Sequence, residues 1–302
     1  MKAVRFFGIA LLTALMSVSF SACSSSSDDD DVVRVPDLFS IENGDGVTIY
    51  YYVYGYIDDN NVIARDYSKA TVRDGDIPYS GEVRIPNSVN YKNHTLKVVE
   101  ISSSAFRGCK SLTFIGIPNS VKIIGSSGFW NCTGLTSVTI PNSVDSIGPC
   151  IFEDCNGLTS VTLSNSLKTI PMSAFENCSS LSSLIIPNSV TSIGANAFYC
   201  CSSLTSVTIG NSVTSIRSGA FEGCDGLTSV IIPKNVTEIG NNAFDADNLI
   251  KVKSLITNPT KISTIAFSSN MIWNGTLIVP KGTIERYKAT EGWKVFKNII
   301  EQ

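Results

Sequence analysis

Apolar positions recur along most of the chain with a single period. Phenylalanine stands at Phe106, Phe129, Phe152, Phe175, Phe198, Phe221, Phe244 and Phe267, a 23-residue step kept without a slip. A cysteine column from Cys109 to Cys224 follows three places behind it, and a leucine column from Leu112 to Leu227 three places further on. Apolar pairs such as Val138 with Ile140 and Val207 with Ile209 come next, then an isoleucine column from Ile124 to Ile262. A unit this short cannot bury its own apolar side, so neighbouring units must stack and share one continuous core.

Within the unit, Leu204 to Ile209 ends in period-two alternation and is rich in β-branched residues, which predicts a short strand. Pro187-Asn188-Ser189 turns the chain, and Val190 to Ile193 predicts a second extended piece. Gly194 is expected to end it with a positive φ. Apolar spacing around Ala197 and Phe198 predicts one helical or 3₁₀ turn that drops Phe and Cys into the interior.

The outward positions of the first strand are Ser137 and Thr139, Ser160 and Thr162, Ser183 and Ile185, Ser206 and Thr208, Ser229 and Ile231. Phe114 and Gly116 hold them in the opening coil. This uncharged hydroxyl face, interrupted by Phe114, Ile185 and Ile231, is the candidate ligand face. The plainer reading is that Ser and Thr keep a regular sheet soluble without repulsion between coils. Six strands ~4.8 Å apart and ~12 Å wide offer roughly 350 Å², under half of the ~800 Å² per partner in a standard interface. A single array is therefore expected to bind weakly and to gain strength from many copies.

The unit Ala-Phe-x-x-Cys-x-x-Leu-Thr-Ser-Val-Thr-Ile-Pro-Asn-Ser-Val-Thr-Ser-Ile-Gly, over residues 101–267, resembles the BspA-type leucine-rich repeat of bacterial surface proteins. The resemblance implies a repeat solenoid, α+β but mostly β, with 23-residue leucine-rich-repeat coils between N- and C-terminal caps. It extends to an opening half-repeat, Gly81 to Val89 with Val98 to Ile101, and to a closing segment with Leu277 to Gly282, Tyr287 and Gly292-Trp293. Asp247 stands where the cysteine column calls for Cys, Ile151 replaces Ala, and Lys251 to Pro259 is expected to leave the strand register. The family is associated with attachment to host matrix proteins and to other cells, which implies a protein-binding or adhesion role.

Solenoid ends need covers. Residues 36–100 are assigned to the N-terminal cap and opening half-repeat. There Tyr50, Tyr51, Tyr52, Tyr54 and Tyr56 follow the turn Asn43 to Gly46 and predict a hairpin. Tyr50, Tyr52, Tyr54 and Tyr56 would share one strand face, as filler beneath the cap in preference to a second contact surface. Residues 268–302 are the C-terminal cap, with a strand from Thr276 to Val279 and an amphipathic segment bearing Ile284, Tyr287, Trp293 and Phe296. Truncation of a central ring, Phe175 or Phe198, is expected to cost more than truncation of Phe267 beside this cap.

The amino terminus reads as an address. Lys2 and Arg5 precede an uncharged stretch from Phe6 to Phe20, too short to span a bilayer. Ser21-Ala22-Cys23 resembles a lipobox, so residues 1–22 are expected to be removed and Cys23 to carry lipid. Residues 23–35, with Asp28 to Asp31, resemble the acidic tether of lipoproteins sent to the outer face of a Bacteroidota-type outer membrane. The expected location is that outer face, with membrane contact through the lipid anchor only.

Charge narrows the chemistry. The 302 residues hold 23 Lys+Arg against 26 Asp+Glu and one His, which provides no basic field for nucleic acid. That histidine, His94, lies in the polar stretch Asn90 to Thr95 and reads as a solvated loop residue. The laddered cysteines read as small apolar filler in preference to disulfides or zinc ligands, and Cys150 and Cys200, off the ladder, as exposed free thiols. Glu153, Glu176 and Glu222 form an acidic rim, with a cation site or acid–base pair as the lesser alternative. No catalytic, cofactor-binding or metal-binding residue is expected. The reading is a surface-anchored module for host or bacterial surface proteins, and in second place glycans. The alternatives are an accessory structural protein or a β-helix polysaccharide enzyme; the enzyme would show clustered Asp, Lys or Arg on outward strand positions.

Overall fold

Equivalent residues of successive coils lie side by side: Val138 pairs with Val161, Leu184 with Val207 and Ile193 with Ile216, all in parallel strands. The structure is a computed structural model that describes residues 34–42, 48–57, 63–65, 69–73, 78–91 and 93–302. The signal segment, Cys23, the tether to residue 33 and the turn Asn43 to Gly46 lie outside the described residues. Arg34 and Val35, assigned above to the tether, belong to the first strand.

The N-terminal cap holds β1 (Arg34–Glu42) and β2 (Thr48–Ile57), the expected antiparallel hairpin, with β3 (Ile63–Arg65) and β4 (Lys69–Arg73) beside β2. The opening half-repeat supplies β5 (Gly81–Arg84), β6 (Ser88–Tyr91) and β7 (His94–Ile101). Here His94 is not a loop residue: it faces Tyr91 at the closed end of the β6–β7 hairpin, where Asn93 takes the left-handed φ. The coils then add β8 (Leu112–Gly116), β9 (Ile123–Ile124), β10 (Ser137–Thr139), β11 (Ser146–Ile147), β12 (Ser160–Thr162) and β13 (Thr169–Ile170). They continue through β14 (Ser183–Ile185), β15 (Ser192–Ile193), β16 (Ser206–Thr208), β17 (Ser215–Ile216), β18 (Ser229–Ile232) and β19 (Glu238–Ile239). The end is β20 (Lys251–Ser254), α1 (Ser269–Asn274), β21 (Thr276–Val279), α2 (Ile284–Ala289) and β22 (Ile299–Glu301).

These strands form two ladders. One runs β5, β8, β10 and every second strand to β18, then β20, β21 and β22. The other joins β1, β2, β4, β7, β9 and β11, and continues as β13, β15, β17 and β19. The N-terminal cap thus extends one ladder and the C-terminal cap the other.

Between the ladders lies the Phe column, whose rings stack 5.1–5.4 Å apart from Phe106 to Phe267. Tyr79 covers the first ring at 4.7 Å, and Trp293 and Phe296 cover the last at 6.0 and 5.0 Å. The caps therefore continue the core with aromatic surface instead of ending it in water.

The corner that carries Phe is not the expected helical or 3₁₀ turn. In the six corners from Phe106 to Phe221 the residues two before Phe, among them Ser127, Cys150, Ser173 and Asn196, are left-handed, and so are those two after it, among them Asn131, Asp154, Asn177 and Cys200. Two left-handed residues per corner break any helical run and turn backbone N–H groups along the stack. Phe175 N–H donates to Ala197 O and Asn177 N–H to Tyr199 O, both at 2.8 Å, so the corner is satisfied by the next coil.

Gly194 also departs from expectation. Its φ lies outside the left-handed region, whereas a Cβ there would stand 2.6 Å from both Met172 N and Pro171 C. Close approach of adjacent coils, not turn conformation, requires glycine at this position.

Lys251 to Ser254 does keep strand register, contrary to the reading above. β20 pairs with β18 and β21, but Ser229 meets Lys251, a step of 22 residues and not 23. The coil is one residue short. Buried Ala246 takes the cysteine slot, Asp247 is pushed outward, and Leu249 fills the leucine slot.

Candidate ligand face

Strand alternation builds the face. In β14 the middle residue Leu184 turns to the core while Ser183 and Ile185 turn to solvent. The same alternation exposes Ser137, Thr139, Ser160, Thr162, Ser206, Thr208, Ser229 and Ile231. Ile185 and Ile231 keep 70% and 53% of their surface exposed, a large apolar exposure for a regular sheet. Phe114 is different: it is half-buried, three strands away from Ile185, with the Arg84 guanidinium 4.6 Å from its ring centre. It does not join the other two.

The ladder bearing these residues contains ten strands, β5 to β22, instead of the six counted from sequence. At ~4.8 Å per strand and ~12 Å width the face approaches roughly 580 Å², still below a standard partner surface.

A groove of about 450 Å³ crosses this face between Ile185, Ile231 and Leu255, over Pro187, Thr208 and Gly210. Its origin is local. The outward position reads Ile185, Thr208 and Ile231 in successive coils, and the position two residues beyond it reads Pro187, Gly210 and Pro233. The central coil is the smaller one in both columns, and the gap lies there. Gly210 has no alternative, because a Cβ would stand 2.7 Å from the carbonyl carbon of Pro187. Along the rim, Asn188 Oδ1 accepts from Asn211 N–H at 2.7 Å, which fixes the amides in a row. A second hollow of about 290 Å³ lies beside it, against Thr162, Ser183 and Ile185.

Lys251, Lys253 and Leu255 also border this face, and sequence reasoning missed them. Lys253 is the register partner of Ile231, and Lys251 that of Ser229. The signal was available in the step from Leu227 to Leu249, which is one residue short.

The other sequence-predicted groups do not converge on it. Among the described residues no set of three or more His, Cys, Asp or Glu is arranged to hold a metal ion. Glu153, Glu176 and Glu222 are half-buried on the Phe corner, away from this face. In the tyrosine row Tyr51 is the buried ring and Tyr50 is half-buried on the opposite strand face, while the side chains of Tyr52, Tyr54 and Tyr56 lie outside the described residues. The laddered cysteines are free and buried; burial pushes the Cys155 thiol up to about 12. Cys150 and Cys200, at left-handed corner positions, are half-buried and not exposed. Burial, then a hydrogen bond with Glu153, raises Cys150 to about 12, and burial raises Cys200 as well.

The family model described as "BspA type Leucine rich repeat region" matches in six copies, over residues 86–191 and 151–274. A search of curated proteins returns no match. Among solved structures, a leucine-rich repeat protein from Bacteroides ovatus is 24% identical, with 92% of this chain and 77% of that chain covered and a TM-score of 0.53. Another from Eubacterium ventriosum is 23% identical, with 63% and 48% covered and a TM-score of 0.52. The chain thus spans about half the length of the latter. Both likenesses concern the fold.

Proposed function

The chain belongs to the BspA-type leucine-rich repeat family, and from that membership we propose that it is a protein-binding or adhesion module displayed at the outer face of an outer membrane. The observation that carries the reading is the groove at Ile185 and Ile231, an apolar recess in an otherwise hydroxyl-covered sheet. Strands β8 to β21 of this ladder carry no Asp, Glu or His, so the face offers contact surface and no acid–base pair. Lipid at Cys23 and the acidic run behind it would hold the array just off the membrane. The small face suits weak single contacts with host or bacterial surface proteins, multiplied by many copies on one cell.

The test is attachment of protein-bearing cells or coated beads to matrix and cell-surface proteins. Replacing Ile185 and Ile231 together with Ser is expected to abolish attachment and leave the melting temperature unchanged. Phe114→Ser alone is expected to have little effect on attachment, because its ring is engaged with Arg84. Attachment that survives the double change but fails with Tyr-to-Ser changes in residues 50–56 would move the site to the cap.

A further inference from the structure

The chemistry of the groove's two ends differs. Toward β14 the neighbours are hydroxyls and amides. Toward β20 they are ammonium groups: Lys253 lies beside Ile231 in register, Lys251 beside Ser229, and Lys234 follows Pro233 on the groove wall. Among the described residues none of these three lysines has a carboxylate partner. On the same ladder Glu301 stands on β22 next to Ile300, two strands from Lys253, but its carboxylate is engaged by the backbone N–H groups of Gly282, Thr283 and Ile284, while Glu153, Glu176, Glu222 and Asp245 follow the Phe column. In a chain of net charge −3 this places unneutralised positive charge at one end of an apolar recess.

We propose that this groove takes an extended acidic peptide segment of a partner protein, with aliphatic side chains seated between Ile185, Ile231 and Leu255 and carboxylates facing Lys251, Lys253 and Lys234. The inference rests on the reading of this face as a protein-binding surface and names the chemistry of the partner. From β14 to β20 the groove crosses three strand intervals, ~14 Å, which accommodates about four extended residues. The lining favours a peptide over a sulfated or acidic glycan: it is aliphatic, with no aromatic ring among its residues on which a sugar could stack. The lysines set polarity and selectivity, since an acidic segment gains there and a basic one is repelled.

The experiment uses the purified full-length chain and three fluorescein-labelled octapeptides in which four Leu are followed by four Glu, four Gln or four Lys, read by fluorescence anisotropy. The Glu peptide is expected to bind about 10-fold more tightly than the Gln peptide and the Lys peptide more weakly than either, with the Glu advantage shrinking as salt screens it. The double variant Lys251→Gln/Lys253→Gln should erase that advantage while leaving the melting curve intact, since both groups lie on the solvent side of β20. Ile231→Ser should weaken the Glu and Gln peptides alike. Equal binding of those two peptides, or an advantage that survives the lysine changes, overturns the inference. Heparin binding that depends on the lysines but not on Ile231 also overturns it, in favour of a polyanionic glycan. In those cases peptide binding or bead attachment that still depends on Ile185 and Ile231 leaves the protein-binding reading standing; if neither depends on them, that reading falls too.

Discussion

The thiol of Cys201 donates to the carbonyl oxygen of Phe175, 3.2 Å away in the preceding coil, while the same oxygen accepts the backbone N–H of Cys178 at 3.1 Å. The pattern repeats from Cys132 to Phe106 and from Cys224 to Phe198. Cysteine is therefore more than a small apolar filler: it supplies a weak donor to a buried carbonyl and holds neighbouring coils in step.

Thiol chemistry follows from that position. The eight described cysteines are expected to react slowly with iodoacetamide at pH 8, because the laddered thiols are buried away from the reagent and burial raises the pKa of Cys155, Cys150 and Cys200. Unfolding in guanidinium should make all eight react together. Mass spectrometry of labelled peptides checks this, and a laddered cysteine modified rapidly in the native protein would contradict it. Cys201→Ala is expected to destabilise by about 1–2 kcal/mol through the small cavity and the lost donor.

Phe198 stacks between Phe175 and Phe221 at 5.4 and 5.1 Å and is fully buried. Its truncation to Ala should cost about 3–5 kcal/mol. The sequence-based expectation of a milder effect at Phe267 is revised by its surroundings: it is only 4% exposed and touches Phe244, Trp293 and Phe296. Phe267→Ala should cost a similar amount, with hydrogen exchange rising first in β21 and β22. Urea unfolding curves that leave Phe267→Ala at wild-type stability would show that the cap does not rest on this ring.

Two glycines separate close approach from backbone conformation. Gly194 is pressed against Met172 N and Pro171 C, so both Ala and Asn there should destabilise by about 1–3 kcal/mol. Gly108 has a φ of +71 and open space around its Cβ position, in a column that elsewhere holds Asn131 and Asn177. Gly108→Asn is expected to stay within about 0.5 kcal/mol of wild type, and Gly108→Ala to cost about 1 kcal/mol. Equal effects of Asn at the two positions would contradict the distinction.

Much of the architecture was legible because burial repeats: a column that never varies in phase, such as Phe106 to Phe267, can only be a shared interior. The corner was misread because apolar spacing of one and three suits a helical turn, while the decisive cue lay in the polar Asn131, Asp154 and Asn177, tolerant of the left-handed region. Lys251 and Lys253 were hidden by a single-residue deletion, since one slip exchanges inward and outward positions in every strand that follows until it is compensated. Ile185 and Ile231 were recognised as outward and apolar. The groove between them depends on what Thr208 and Gly210 lack, and an absent side chain leaves no mark in a hydrophobic pattern.

Lipidation at Cys23 is testable apart from the fold. The Ser21-Ala22-Cys23 box and the acidic run behind it lead us to expect fatty-acid label on the wild-type protein and none on Cys23→Ala, which should be released or left uncleaved. Label that persists on the variant would place the anchor elsewhere.

The carboxylate of Glu301 makes the C-terminal cap sensitive to acid. Its Oε1 accepts backbone N–H groups from Gly282 at 2.9 Å, Thr283 at 3.1 Å and Ile284 at 3.2 Å, tying β22 to the start of α2. These bonds favour the charged form and hold its pKa below the usual carboxylate range. A pKa that is lower in the folded state than in the unfolded chain means that the unfolded state binds more protons through this interval. The stabilisation is therefore present above the ordinary Glu value of about 4.3 and is lost as pH falls through the folded value. Glu291, lowered by Lys261 at 2.8 Å, responds in the same direction and must be separated from it. Glu301→Gln in a Glu291→Gln background isolates the contribution. Amide exchange in β22 should be faster in the double variant than in Glu291→Gln at pH 7, and the difference should vanish at a pH below the folded Glu301 pKa. A difference that persists undiminished in acid would assign the clamp to neutral hydrogen bonding and not to the ionised carboxylate.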